Sequence, residues 1–351
     1  MLVRYQAALR PDTKRELVYH QALVVSSKRM EKMSGLEKKM QRLGGRRPSS
    51  HLRALPPPLF PGACIGVVAP AGAPDISALE AGLEEVRRRG YDVKVADQVY
   101  LRDDLGFAGP DILRAETLMD FFEDPSVDGL WMARGGYGCT RLFSHLEARR
   151  IAPFPKRLMG FSDATALLSF LWGDCGMAGF HGPVLTQLGR LPEPDRAAAF
   201  GAFGWDGKGS LAMPFAGMLR EGQARGWLCG GNLTMLSHLL GTPWCPDFSG
   251  SLLFLEDVNE AGYRIDRMLC HLSMAGVMDE IAGLILGSFT GCGNTDTLYA
   301  RILAHVPPGL PVAWGLPLGH GETHQPLLWG AEGFLDAEAG LLRWEWNHAC
   351  P

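Results

Sequence analysis

Two hydrophobic periods take turns along this chain, and where one gives way to the other the elements can be marked off. Ala63-Cys-Ile-Gly-Val-Val-Ala-Pro-Ala-Gly72 is an apolar run closed by turn residues, which predicts a buried strand. From Ile76 to Arg89 the apolar positions recur at helical spacing and stop at Gly90, and Tyr91 to Val95 reads as a second strand. A helical pattern around Ala115 to Phe122 then leads to a third strand, Gly129-Leu-Trp-Met-Ala133. Strand, helix and strand at this spacing predict a parallel sheet with crossover helices, the doubly wound α/β arrangement.

The periodicity fades between Leu191 and Met218, a polar stretch rich in Gly and Pro that predicts a connection between domains. Beyond it lie Gly226-Trp-Leu-Cys-Gly-Gly-Asn-Leu-Thr234 with a helix through Leu240, and the buried strand of Ser251-Leu-Leu-Phe-Leu-Glu256. A helix starting at Tyr263-Arg-Ile-Asp-Arg267, a strand and turn over Ile281 to Thr290, and a final strand from Pro311 to an exit loop holding His320 complete the pattern. The expectation is an N-terminal doubly wound, mostly parallel α/β domain over 56–200, a linker over 201–222, and a smaller α/β or β-rich domain over 223–351.

Composition narrows the function. A chain of 351 residues with 46% hydrophobic and 21% charged residues can bury a large core. The net charge of -4 argues against nucleic acid, whose phosphates call for a concentrated positive footprint. No apolar run approaches the ~18 residues of a membrane span, so no membrane partner is expected. Eight cysteines are scattered singly without zinc spacing, which predicts reduced thiols, a cytoplasmic location and no metal or other cofactor. Residues 1–55 differ from the rest: 13 Lys and Arg stand against 4 Asp and Glu, and the segment ends in a run of prolines. It reads as a basic, flexible extension ending in an extended linker, and Met30, Met33 and Met40 offer alternative starts.

The chemistry centres on Lys156-Arg-Leu-Met-Gly-Phe-Ser162-Asp-Ala-Thr165, where an apolar run meets a glycine, a hydroxyl follows, and a helical pattern begins at once. A serine at such a strand-to-helix corner is pushed out of the sheet end beside free backbone N–H groups, as in a nucleophile elbow. Ala164 stands where the G-x-S-x-G pattern has its second glycine. Taken alone, these residues read more readily as a helix cap formed by Ser162 or Asp163 than as a nucleophile. Arg134-Gly-Gly-Tyr-Gly138 empties from the third strand and lacks both the dinucleotide and the Walker spacing, so oxyanion or substrate contact ranks above a structural turn and a phosphate cradle. Glu256 emerges as its apolar run ends, which suits a site or a salt bridge; His320 shares its loop context with His181 and His324.

These stretches together resemble the L,D-carboxypeptidase family of serine peptidases, the group that also holds the microcin C self-immunity hydrolases. The likeness rests on Ile65-Gly-Val-Val-Ala-Pro70, Ala133-Arg-Gly-Gly-Tyr-Gly138, Gly160-Phe-Ser-Asp163, His181-Gly-Pro183, Gly230-Gly-Asn-Leu233, Leu253-Phe-Leu-Glu-Asp257, Tyr263-Arg-Ile-Asp-Arg267 and Gly319-His320, in family order over roughly 56–340. One departure is Leu328-Trp-Gly330, where the family usually has Pro-x-Gly. The resemblance implies a triad of Ser162, Glu256 and His320, with an oxyanion hole from the N–H groups of Gly136 and Asp163. It further implies a murein tetrapeptide substrate cut before its terminal D-alanine, cytoplasmic cell-wall recycling, and a homodimer. Arg134 and Arg264 are candidates for the substrate carboxylate. Two alternatives remain: hydrolysis of a peptidyl-nucleotide antibiotic, with Trp205, Trp227 or Trp244 stacking on the base, and a non-catalytic ligand-binding α/β protein.

Overall fold

Short strands buried on both faces demand helices on either side, and the first half of the chain supplies them. The computed structural model describes residues 53–347, so the expectations for the rest of the basic extension and for its alternative starts lie outside the described residues. Strands β1 (Cys64–Val68), β2 (Asp92–Val95), β3 (Gly129–Met132), β4 (Arg157–Gly160) and β5 (Phe180–His181) run parallel in the order β5-β4-β3-β1-β2. The direction of progression reverses between β1 and β3, so the loops leaving their carboxyl ends diverge and leave room for a ligand. Helices Ile76–Arg88 and Asp111–Glu123 form the first two crossovers, each turning buried leucines inward.

A second sheet follows: β6 (Leu211–Pro214), β7 (Gly217–Arg220), β8 (Ala224–Asn232), β9 (Ser251–Val258), β10 (Gly283–Thr290) and β11 (Val312–Trp314). The chain then gives β12 (Leu327–Leu328) back to the first sheet before adding β13 (Glu332–Asp336) and β14 (Leu341–Glu345) to the second. The centre of the second sheet, β8 to β11, is parallel, and β7, β13, β14 and β6 flank it antiparallel. It is thus both α/β and β-rich.

Three sequence expectations need correction. The Leu191–Met218 stretch, read as a connection between domains, carries regular elements of its own: the helix Glu193–Gly204, the strand β6 and the start of β7. Both strands lie at sheet edges, where side chains face solvent and no sustained apolar period is required. The strand after Pro311 is not the last, since β12, β13 and β14 follow it. The proline-rich segment is extended but packed down from Arg53 onward. Leu59 donates its N–H to Phe203 O (2.7 Å) and Ala54 its own to Gly176 O (2.9 Å). Arg157 anchors it from below, donating to Pro56 O (3.0 Å), Ala202 O (2.6 Å) and Phe203 O (2.8 Å). Burial pushes that guanidinium down to about 10.

Candidate active site

β4 is fully buried and ends at Gly160, and the helix Ala164–Asp174 begins four residues on. The corner between them forces Ser162 to φ 62°, a left-handed conformation shared among described non-glycine residues only by Asn259. A helix cap sits in the extended region instead, so Ser162 is no ordinary cap. Nor does Asp163 cap, for its side chain makes no bond to the helix start. Its Oδ2 accepts the Cys139 N–H at 2.6 Å, which fastens the elbow to the end of the glycine loop. Burial raises that carboxyl, and the backbone N–H bonds partly offset the rise.

The glycine loop lies over the serine. A Cβ placed on Gly135 would sit 3.0 Å from Ser162 Cβ and 3.3 Å from its Oγ, so a side chain there would crowd the hydroxyl that the glycine leaves room for. Gly136, at φ 101°, has its Cα side toward Gly72. The Gly135 carbonyl accepts the Gly72 N–H at 3.2 Å, and across the trans peptide the Gly136 N–H therefore points away from Gly72. Arg134 is exposed and donates from Nη1 to Ala73 O at 2.7 Å.

Glu256 comes from the other sheet. It lies within β9 rather than past its end, is fully buried, and its Oε2 is 2.7 Å from His320 Nδ1. A carboxylate there accepts from Nδ1–H, so Nε2 is left as the proton acceptor of the ring. The half-buried His320 ring packs on Phe161, with centroids 4.6 Å apart, and Phe161 directly precedes Ser162. The sequence motif Gly230-Gly-Asn-Leu233 gave no role to Asn232, which proves to join the parts. Its Nδ2 donates to Glu256 Oε1 (3.2 Å) and Asp257 Oδ1 (3.1 Å), and its backbone N–H donates to Thr165 Oγ1 (3.0 Å) on the elbow helix.

The remaining candidates fall further out. Arg264 lies exposed at the start of the helix Gly262–Met274, paired with Glu260 at 3.5 Å. Trp205 and Trp227 are buried in the core, Trp227 stacked on Trp172, while the half-buried Trp244 stacks on Phe143. His181 and His324 are fully buried around Phe161. Burial pushes His181 down to about 3 and His324 well below the usual imidazole range, so both are neutral at pH 7.

The fold and the site define a two-sheet α/β protein with a strained serine on one sheet and a hydrogen-bonded carboxylate–imidazole pair carried by the other. Comparison with known proteins gives the family. The LD-carboxypeptidase N-terminal domain matches residues 65–182 and the LD-carboxypeptidase C-terminal domain matches 225–335, and the chain belongs to that family. It is 33% identical over 304 residues to the murein tetrapeptide carboxypeptidase of Pseudomonas aeruginosa, covering 80% of this chain and 94% of that protein. The crystal structure of muramoyltetrapeptide carboxypeptidase from Oxalobacter formigenes is similar, with a TM-score of 0.70, 30% identity, and 80% and 98% of the two chains covered. The microcin C7 self-immunity protein MccF in complex with glutamyl sulfamoyl guanosine shares the fold at a TM-score of 0.77 with 20% identity, over 84% and 99% of the chains.

Proposed function

We propose that this carboxypeptidase is of the serine type and releases the terminal D-alanine of murein tetrapeptides, cutting on the carboxyl side of an L-configured centre. The observation that carries the reading is the meeting of the Glu256–His320 pair with the residue beside the left-handed Ser162. Ser162 Oγ attacks the scissile carbonyl while His320 Nε2 takes its proton, and Glu256 holds the imidazolium so formed. The tetrahedral intermediate expels the D-alanine amine, which leaves with the proton from His320. Water then attacks the acyl-enzyme with the same base, freeing the tripeptide and Ser162. The Gly136 N–H, directed away from Gly72, and the Asp163 N–H serve the oxyanion, and each such donor is worth about 10²–10³ in rate. Arg134, beside the elbow, is better placed than the surface-paired Arg264 to meet the substrate carboxylate.

The relatives' names support the substrate class; a cytoplasmic, dimeric enzyme of cell-wall recycling is part of the same proposal. The antibiotic alternative finds less support, because Trp205 and Trp227 are used up in the core and Trp244 is packed against Phe143. The test is tetrapeptide turnover followed by mass spectrometry, beside an aminoacyl-sulfamoyl adenosine. Ser162→Ala and His320→Ala are expected to lose at least about 10³-fold in kcat, and Glu256→Gln about 10²-fold or more. Near-parent turnover by Ser162→Ala would overturn the mechanism, and preference for the adenosine compound would overturn the substrate.

A further inference from the structure

The loop that carries His320 begins on one sheet and ends on the other, running from β11 to β12. Gln325 N–H closes its base on Pro317 O at 2.7 Å, and Leu318 O accepts the Ser288 N–H of β10 at 2.9 Å. Against the far side of this loop lie two short helical segments of the first half, Leu185–Leu188 and Glu193–Gly204. They present Gln187 and Asp195, polar side chains that are 2% exposed and used nowhere in the triad chemistry.

Gln187 makes two bonds that fix which end of its amide faces where. Its Nε2 donates to the Gly319 carbonyl at 3.3 Å, and its Oε1 lies 2.9 Å from His324 Nδ1. The acceptor oxygen requires His324 to carry its proton on Nδ1, the tautomer a neutral buried imidazole can hold. Asp195 grips the next two residues, accepting the His324 backbone N–H at 3.0 Å and Gln325 Nε2 at 2.9 Å. Gly319 in turn rests on the acid, since a Cβ at that position would collide with Glu256 Oε2. The His324 ring completes the contact by packing edge-on to Phe161, 4.4 Å between centroids.

We propose that Gln187 and Asp195 are positioning residues for the catalytic base, holding the His320 loop of the second sheet at a fixed height over the serine elbow of the first. The inference rests on the triad reading above. Neither residue touches substrate; Gln187 acts through Gly319 and His324, and Asp195 through His324 and Gln325. Because the helices that bear them belong to the same half as Ser162, the clamp couples the nucleophile's half directly to the base. A displacement of about 1 Å at such a site costs up to about 100-fold in rate without weakening substrate binding.

The experiment uses the full chain and murein tetrapeptide. Gln187→Leu removes both bonds, Gln187→Glu keeps the acceptor for His324 but loses the donor to Gly319, and Asp195→Asn weakens the second grip. The expected result is a kcat lowered about 10- to 100-fold for Gln187→Leu and at least about 5-fold for the other two, with KM within about 3-fold of the parent. All are measured well below each variant's own unfolding temperature, so that lost stability is not read as lost activity. Parent-like kcat in the folded Gln187→Glu and Asp195→Asn variants would overturn the clamp, even if Gln187→Leu failed to fold. Ser162→Ala run in parallel separates the two claims: turnover surviving in it sinks the triad, whereas its loss alongside intact Gln187 variants sinks only the clamp.

Discussion

At the scale of single residues, Ser162 holds a left-handed backbone that costs stability. A left-handed conformation costs a side-chain-bearing residue about 1 kcal/mol or more, and glycine takes it up almost freely. Ser162→Gly is therefore expected to raise the unfolding temperature by about 2 °C while abolishing turnover, which calorimetry and the tetrapeptide assay would check together. A lower melting temperature in that variant would show that the φ of 62° is relieved elsewhere. The strand-to-helix corner marked Ser162 in the sequence and the end of an apolar run marked Glu256, but grouping them with His320 rested on the family resemblance, because the loop position of His320 is shared by His181 and His324. Gln187, Asp195 and Asn232 were not. Each is one polar residue among ordinary neighbours, and its meaning lies in partners 137, 129 and 24 positions away.

At the scale of elements, the helix Ala164–Asp174 and the strand β8 carry the junction between the two halves. The end of β8 comes so close that a Cβ on Gly231, at φ 138°, would overlap the Thr165 hydroxyl, which itself accepts the Asn232 N–H. Gly231→Ala is expected to destabilise the protein by about 1–3 kcal/mol in chemical unfolding and to reduce kcat, because the displaced strand end carries Asn232 away from Glu256. A variant with parent stability and kcat would show that this approach has slack. The main parallel strands could be read from the sequence, since their continuous apolar runs reflect burial on both faces. The edge strands β6 and β7 and the two-residue strands β5 and β12 could not. They are too short or too exposed to impose a period, and pairing at a distance is what makes them strands.

At the scale of the whole molecule, the seam between the sheets is lined with neutral imidazoles. His181 on β5 and His324 on the His320 loop lie 5.5 Å apart by ring centroid, and His181 also faces Phe254 of β9. Among the described residues neither ring nitrogen of His181 has a hydrogen-bond partner. The folded state holds His181 at about 3 against 6.5 for an exposed imidazole, so below pH ~6.5 the unfolded chain binds a proton that the folded one refuses. The stability that neutral His181 contributes is complete above pH ~6.5 and declines as the pH falls toward 3, by up to about 1.4 kcal/mol per pH unit. Unfolding followed from pH ~7 to ~4.5 is expected to show a shallower decline for His181→Leu than for the parent; identical slopes would mean that the acid sensitivity lies elsewhere.

The return of β12 to the first sheet bears on how such a protein can be taken apart. Leu327 and Leu328 pair with His181 and Phe180, and from Trp329 the chain recrosses at once, Trp329 Nε1 donating to Gly230 O at 2.7 Å. The two halves are stitched through each other as well as laid side by side. Grafting the second half onto a first half from another family member would have to transplant a matching edge pair along with the catalytic groups, so recombination is easier for the complete second half than for any shorter cassette.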